Sequence, residues 1–336
     1  MKTFLIRLLI FGTLFTGLVL ASAYKLAQPG EMDYVGGIVI KHKRLNEIKG
    51  PRLIFAGGSN MAFGLDSKAV EEATHMPVVN LALHGGLGLD FILEELKDVV
   101  RAGDMVVLSP EYFLEEGRYE LDAAVAAFMP ASEKYFKHDF YTVFKYSVES
   151  RFTQIGYNRD YLMAGWRKRN APPERDYAAE VYSHKAFNSY GDVVAHLDLP
   201  AYGAPKVPLK LHAGYWDGIP KINAASKVLE QRGVRFYFVF PAFCQSSYDN
   251  NIAAISTLEV SLRKDLRIPV ICRPQDFVYP DTLYYDSYYH LTKTGRNLRT
   301  QQLIKIVQPL TAELHAEKML LTNTATNRPH QPQPYR

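Results

Sequence analysis

The stretch Arg52-Leu-Ile-Phe-Ala-Gly-Gly-Ser-Asn-Met61 decides the fold. A short apolar run closed by paired glycines has the length and flanks of a buried parallel-sheet strand entering a tight turn. Such a turn sets the Ser59 hydroxyl at the sheet edge, beside backbone N–H groups able to hold an oxyanion. The same glycines also suit an ordinary turn that needs φ > 0. A phosphate-cradling loop would require a lysine that is absent here. The alpha/beta-hydrolase elbow would require glycine where Met61 stands.

Outward from this stretch, helices alternate with strands. Asp66 is a cap for a helix through Ala73, and Pro77–Ala82 is a second strand. A helix over Leu89–Arg101 carries one apolar stripe (Phe91, Ile92, Leu96 and Val99/Val100), Gly103 closes it, and Met105–Leu108 is a third strand. The alternation resumes with a helix over Ile222–Gln231 closed by Gly233 and a fourth strand over Val234–Phe240. A helix over Ile252–Lys264, a fifth strand over Ile268–Cys272, and a terminal helix over Lys293–Leu314 follow, with Thr292 as its cap and Pro309 kinking it. This pattern predicts an α/β fold: a flavodoxin-like three-layer sandwich with a five-stranded parallel sheet. Ligands of such sheets sit at the carboxyl ends of the strands.

The main domain spans 51–316, within which residues 113–218 form a large insertion, rich in Tyr, Phe and Ala, read as a cap over that edge. Phe187–Asp192 reads as a turn without chemistry. Residues 25–50 read as a weakly structured lead-in, and the polar, Pro-rich 317–336 as a disordered tail. Residues 1–24 are a signal peptide or an N-terminal membrane anchor: Lys2 and Arg7 precede the uncharged stretch Leu8–Ala23, and Ala21-Ser22-Ala23 fits a cleavage site. Basic residues at that end keep it in the cytoplasm, so both readings export the rest.

Among 336 residues, 39 basic and 35 acidic side chains leave a net charge of +4, too even a balance to argue for nucleic acid. The densest basic patch, Arg167-Lys168-Arg169, reads as a solvated face. No His/Cys cluster has metal spacing and no cofactor fingerprint occurs, so neither metal nor cofactor is expected. The two cysteines, Cys244 and Cys272, fit either a disulfide in an exported chain or a free buried pair.

Chemistry concentrates at the far end of the chain, in Tyr284-Tyr-Asp-Ser-Tyr-Tyr-His-Leu291. A carboxylate close before a histidine in one loop can orient the imidazole, which can then deprotonate a serine from another loop at the same edge. A helix-capping pair is the alternative for Asp286 and His290 taken alone.

With Ser59, the order Ser…Asp…His resembles the SGNH/GDSL hydrolase superfamily, in particular its envelope-anchored branch, which includes the D-alanyl-transfer protein DltD and the alginate O-acetylation proteins. The resemblance covers about 50–112 and 219–310. It implies Ser59 as nucleophile in Gly57-Gly58-Ser59-Asn60, and Gly85 joining Ser59 as oxyanion donor in Asn80–Gly86. It also implies His290 as base and Asp286 as orienter, with Asp281 the fallback. The family's third block brings an Asn donor, whereas this chain has Leu108-Ser-Pro-Glu-Tyr112. The family also places two residues between Asp and His, and three stand here. Glu111, Tyr112, Asn60 and His84 are expected around the pocket. The implied activity is that of a serine esterase or O-acyltransferase on an acyl ester or envelope glycan, with a membrane partner as a conceivable acyl donor. The competing reading is a non-catalytic envelope protein that binds glycan or a membrane partner.

Overall fold

The structure, a computed structural model, describes residues 1–23, 31–114, 116–136, 177–212 and 216–326, with isolated residues between 138 and 163. Helix α1 spans Lys2–Ala23, and α2 spans Ile38–Glu47. Strand β1 (Leu53–Gly57) leads into the one-turn helix α3 (Ser59–Phe63) and then α4 (Ser67–Thr74). Strand β2 (Val78–Asn80), helix α5 (Gly88–Val99) and strand β3 (Met105–Ser109) follow. Within the insertion lies α6 (Tyr119–Phe128). Beyond it come α7 (Gly218–Gln231), β4 (Arg235–Phe238), β5 (Phe243–Cys244), α8 (Ile252–Asp265), β6 (Val278–Tyr279) and α9 (Lys293–Thr326).

Strands β1 to β4 form a parallel sheet in the order β2-β1-β3-β4. Its two central strands are buried along their whole length, which is why they read as unbroken apolar runs. The crossovers β1 to β2 and β2 to β3 run in opposite directions across the sheet. Right-handed connections therefore put α4 and α5 on opposite faces. Helix α9 packs on α4, and α7 on α5. The chain is thus α/β with a parallel sheet, and two sequence-derived caps hold: Asp66 accepts the N–H of Ala69, and Gly233 takes positive φ just past Arg232. The helix expected to close at Gly103 instead ends at Val99 with Val100 as its cap, and Gly103 takes its positive φ in the turn that follows.

Four expectations change. The fifth strand is reduced to a single parallel bridge between Val270 and Phe238. Pro269 has no N–H, so the segment gives Phe238 an acceptor on one side and the Ile271 N–H on the other, and the ladder stops there. A separate two-stranded sheet, β5 with β6, was not foreseen. The lead-in is not loose: Tyr34, Val35, Ile38, Lys41 and Leu45 are buried, and α2 packs beside β2. Helix α9 also runs on through Pro309 to Thr326, and the rest of the expected disordered tail lies outside the described residues.

The described parts of the insertion join this lead-in in a second core that includes Tyr34, Phe63, Leu87, Phe91, Leu121, Val125, Tyr135 and Phe187. Its last stretch is tied to the sheet by Asp192. This fully buried carboxylate accepts from Ser67 N–H (3.0 Å), the Ser67 hydroxyl (2.5 Å) and Asn80 Nδ2 (2.9 Å). Gly191 beside it has φ +95°, and a Cβ there would lie 2.3 Å from the Asn80 carbonyl oxygen.

Cys244 and Cys272 are both free and buried. Burial pushes the Cys272 thiol up to about 12, and its sulfur accepts the Phe240 N–H at 3.2 Å. Helix α1 exposes Phe4, Leu8, Phe11, Leu14 and Phe15. Among the described residues, no helix is long and apolar enough to cross a membrane. The basic patch at 167–169 lies outside the described residues.

Candidate active site

The Ser59 turn begins where β1 ends. Gly57 has φ +153°, and a Cβ there would come within 2.1 Å of the Ser109 carbonyl oxygen on β3, so only glycine fits. Gly58, in extended conformation, caps α3; a Cβ on it would meet the Glu111 carboxylate oxygens at 2.1 and 2.4 Å. Ser59 opens α3 and is partly exposed.

The next residue is clamped on every side. The Asn60 N–H donates to Glu111 Oε1 (2.9 Å), and its Nδ2 donates to the Ser109 carbonyl (2.8 Å). Arg299 of α9 donates to the Asn60 carbonyl (2.5 Å), to Asn60 Oδ1 (2.8 Å) and to the Ser109 hydroxyl (3.2 Å). Arg299 is completely buried; burial lowers its pKa to about 10, against the opposing pull of Tyr279, Tyr284 and Glu111. Asn60 is therefore a buried strut, not the pocket residue expected. The Tyr112 ring packs edge-on against Phe243 in the main core.

The second turn, at the end of the strand-β2 segment, is organised by His84. Its Nδ1 accepts the Gly86 N–H (2.8 Å), and its Nε2 lies 3.5 Å from Glu31 Oε1. Glu31 in turn accepts from Arg118 at 2.5 Å. The hydrogen bond from His84 is the main force drawing the Glu31 carboxyl down to about 2, burial opposing it and Arg118 helping. Because Gly86 spends its N–H on His84, Gly85 is the glycine of this pair left for a ligand. Gly85 also faces Glu111, whose Cδ would stand 3.2 Å from a Cβ built there.

The third element is the loop before α9. Tyr284 and Leu291 form an antiparallel bridge, and Tyr285 N–H donates to the His290 carbonyl at 2.7 Å. Inside this closed loop the Ser287 hydroxyl accepts the N–H groups of Tyr289 (3.2 Å) and His290 (3.0 Å). His290 Nδ1 meets Asp286 Oδ1 at 2.8 Å. The extra residue between them is absorbed by this turn. Asp281 is not the orienter; it accepts the Ser246 N–H at 3.0 Å.

Sequence reasoning missed Tyr182, from the insertion: its hydroxyl donates to Asp286 Oδ2 (2.6 Å) and lies 3.3 Å from His290 Nδ1. Burial raises the Asp286 pKa, but hydrogen bonds from His290 and Tyr182 outweigh it and hold the carboxyl below its ordinary value.

The imidazole of His290 stacks on Phe63, with ring centroids 3.9 Å apart and planes 6° from parallel. Phe63 follows Ser59 by one helical turn, so the imidazole lies against the face of α3 that carries Ser59. Asp286 and Tyr182 occupy the Nδ1 side, leaving Nε2 for other work. No hydrogen bond joins Ser59 to His290 among the described residues. The arrangement brings a serine hydroxyl, a carboxylate-oriented imidazole and a glycine turn to one end of a parallel sheet, where ligands of such folds bind. Among the described residues, no group of three or more His, Cys, Asp or Glu is placed to hold a metal ion. No family model matches the chain, and no curated protein matches it.

Proposed function

We propose that the chain is a cell-envelope serine esterase or O-acyltransferase of SGNH/GDSL type, acting through an acyl-enzyme on Ser59. The observation that carries this reading is the Asp286–His290 pair, 2.8 Å apart, with its imidazole laid on Phe63 of the Ser59 helix. In this scheme Ser59 Oγ bonds to the acyl carbonyl carbon as its proton passes to His290 Nε2. The N–H groups of Ser59 and Gly85 receive the oxyanion, and collapse breaks the ester bond while His290 returns the proton to the leaving oxygen. A second hydroxyl then gives its proton to His290 and takes the acyl group, and His290 passes that proton to the departing Ser59 Oγ. Water in that role gives hydrolysis; a glycan hydroxyl gives O-acyl transfer.

The sequence reading of residues 1–24 as a signal peptide or anchor, with Lys2 and Arg7 on the cytoplasmic side, supports a domain on the outer side of the inner membrane. The insertion is the cap of this site, and a membrane protein supplying acyl groups is a partner consistent with that placement.

The test is labelling of the full-length protein, in detergent, with a fluorophosphonate. Labelling lost in both Ser59→Ala and His290→Ala is the expected result; equal labelling of Ser59→Ala overturns the reading, as does a failure to label in folded wild type and folded Glu111→Gln alike. A second reading, a non-catalytic envelope protein of this fold that binds glycan or a membrane partner, is favoured by one observation. Glu111 stands where the resembled family brings an Asn donor, and loss of one such donor costs ~10²–10³ in rate.

A further inference from the structure

We propose that Glu111 is an internal brake on Ser59: its carboxylate occupies the space between the Ser59 and Gly85 turns and opposes the negative charge that forms there on acylation. The inference rests on the serine reading above.

Three observations place the group. Glu111 Oε1 accepts the Asn60 N–H at 2.9 Å, the N–H next in sequence to that of Ser59. Both carboxylate oxygens crowd Gly58, and Cδ faces Gly85. Oε2 is buried without a hydrogen-bond partner, in a residue only 9% exposed. A carboxylate oxygen left bare in such a place is costly to keep, and the fold holds it between the two turns that reach for the substrate. Arg299 makes no direct pair with it: its two terminal nitrogens are spent on Asn60 and Ser109.

The consequence is electrostatic. Addition of Ser59 Oγ to a carbonyl moves one negative charge onto the carbonyl oxygen, and a fixed carboxylate a few ångströms away raises the barrier. Glu111→Gln preserves the shape and the acceptor for the Asn60 N–H, removes the charge, and turns an amide N–H₂ toward the space of Oε2. The variant therefore converts an opposing group into a donor.

The experiment compares full-length wild type, Glu111→Gln and Glu111→Gln/Ser59→Ala in detergent, reading the rate of fluorophosphonate labelling and of p-nitrophenyl acetate hydrolysis. Glu111→Met, uncharged and of similar length, is run beside them, and thermal melts identify which variants are folded. The expected result is a rise of about 10- to 100-fold in Glu111→Gln, abolished in the double variant. If folded wild type labels at Ser59 and neither uncharged variant is faster, the brake is overturned while the serine reading stands. If no folded variant labels, both fall. Labelling of Glu111→Gln where wild type is silent supports the brake most strongly.

Discussion

Two cations are buried completely among the described residues, and they do opposite work. Arg299 stands behind the Ser59 turn, where its two terminal nitrogens hold the Asn60 carbonyl, Asn60 Oδ1 and the Ser109 hydroxyl. Lys41 stands behind the second core, where Nζ donates to the carbonyls of Asn80 (3.0 Å) and Gly191 (2.5 Å) and lies 4.7 Å from the Phe187 ring centroid. Burial lowers both, but Arg299 only to about 10, so it stays charged at neutral pH, whereas Lys41 falls to about 7. A neutral amine has two N–H bonds, and Lys41 has two carbonyls to fill. The fork of a guanidinium is needed where several acceptors converge from fixed directions; a lysine suffices where two main-chain carbonyls must be bridged.

The sharpest way to break this comparison is to remove the fork. Arg299→Met should strip donors from Asn60 and Ser109, all buried, and cost about 3 kcal/mol or more at ~1–3 kcal/mol per acceptor left bare. Arg299→Lys should recover little of it, because one ammonium cannot reach both Asn60 oxygens and Ser109 in the same geometry. Urea denaturation of the three proteins measures this. Full recovery by lysine would show that charge, not shape, holds the Ser59 turn.

The next effect is a slope. The folded-state pKa of Lys41, about 7, lies below the unfolded value of 10.5, so between these the unfolded chain binds a proton that the folded chain does not. Stability from this group therefore rises with pH across that window, and the penalty is fully present below about 7. The expected gain is about 1.4 kcal/mol per pH unit. Lys41→Met should lose that slope between pH 7.5 and 9, while Arg299, still charged throughout, contributes none. Equal slopes in wild type and Lys41→Met would show that Lys41 keeps its proton.

These two cations also mark how far the sequence could be read. The Ser59 turn at the end of β1 and the Asp286–His290 contact could be read from the sequence because each sits in a short motif whose partners are a few residues away or at a strand end. Asp286 and His290 lie within one closed turn, and Asp66 and Gly233 announce helix ends by local chemistry alone. Lys41 and Arg299 were passed over because a cation ordinarily reads as exposed. A signal was present all the same: Ile38, Lys41 and Leu45 share one helical stripe, as do Arg296, Arg299, Leu303 and Val307, and all of these are buried. A cation on an apolar stripe is a buried clamp awaiting its acceptors. The fifth strand failed for the reverse reason. Ile268-Pro-Val-Ile-Cys272 has the composition of a strand, but composition does not report that Pro269 interrupts the donor row beside β4. Nothing local to Glu111 says that its carboxylate crosses to the Asn60 N–H in the Ser59 turn.

Tyr182 had no signal at all, lying over a hundred residues from Asp286, and it supplies the smallest and most specific test. It is the neutral counterpart of the two cations: one hydroxyl donating one bond, 2.6 Å, to a carboxylate oxygen. Tyr182→Phe keeps the ring beside Phe63 and His290 and removes only that bond. A hydrogen bond to a charged acceptor contributes ~1.5–3 kcal/mol, and partial access of water to Asp286 brings the expected loss to the lower end. The sign with pH follows from the lowered Asp286 pKa. Stability from a depressed carboxyl is present above its unfolded value and is lost as pH falls through the folded one. The gap between wild type and Tyr182→Phe should therefore be widest near pH 7 and close on the acid side as Asp286 takes up its proton. Denaturation curves at a series of pH values from neutral down to about 3 resolve it. A gap that does not change with pH would mean that Tyr182 only fills space, leaving His290 to be aimed by Asp286 and the Phe63 ring without help from the insertion.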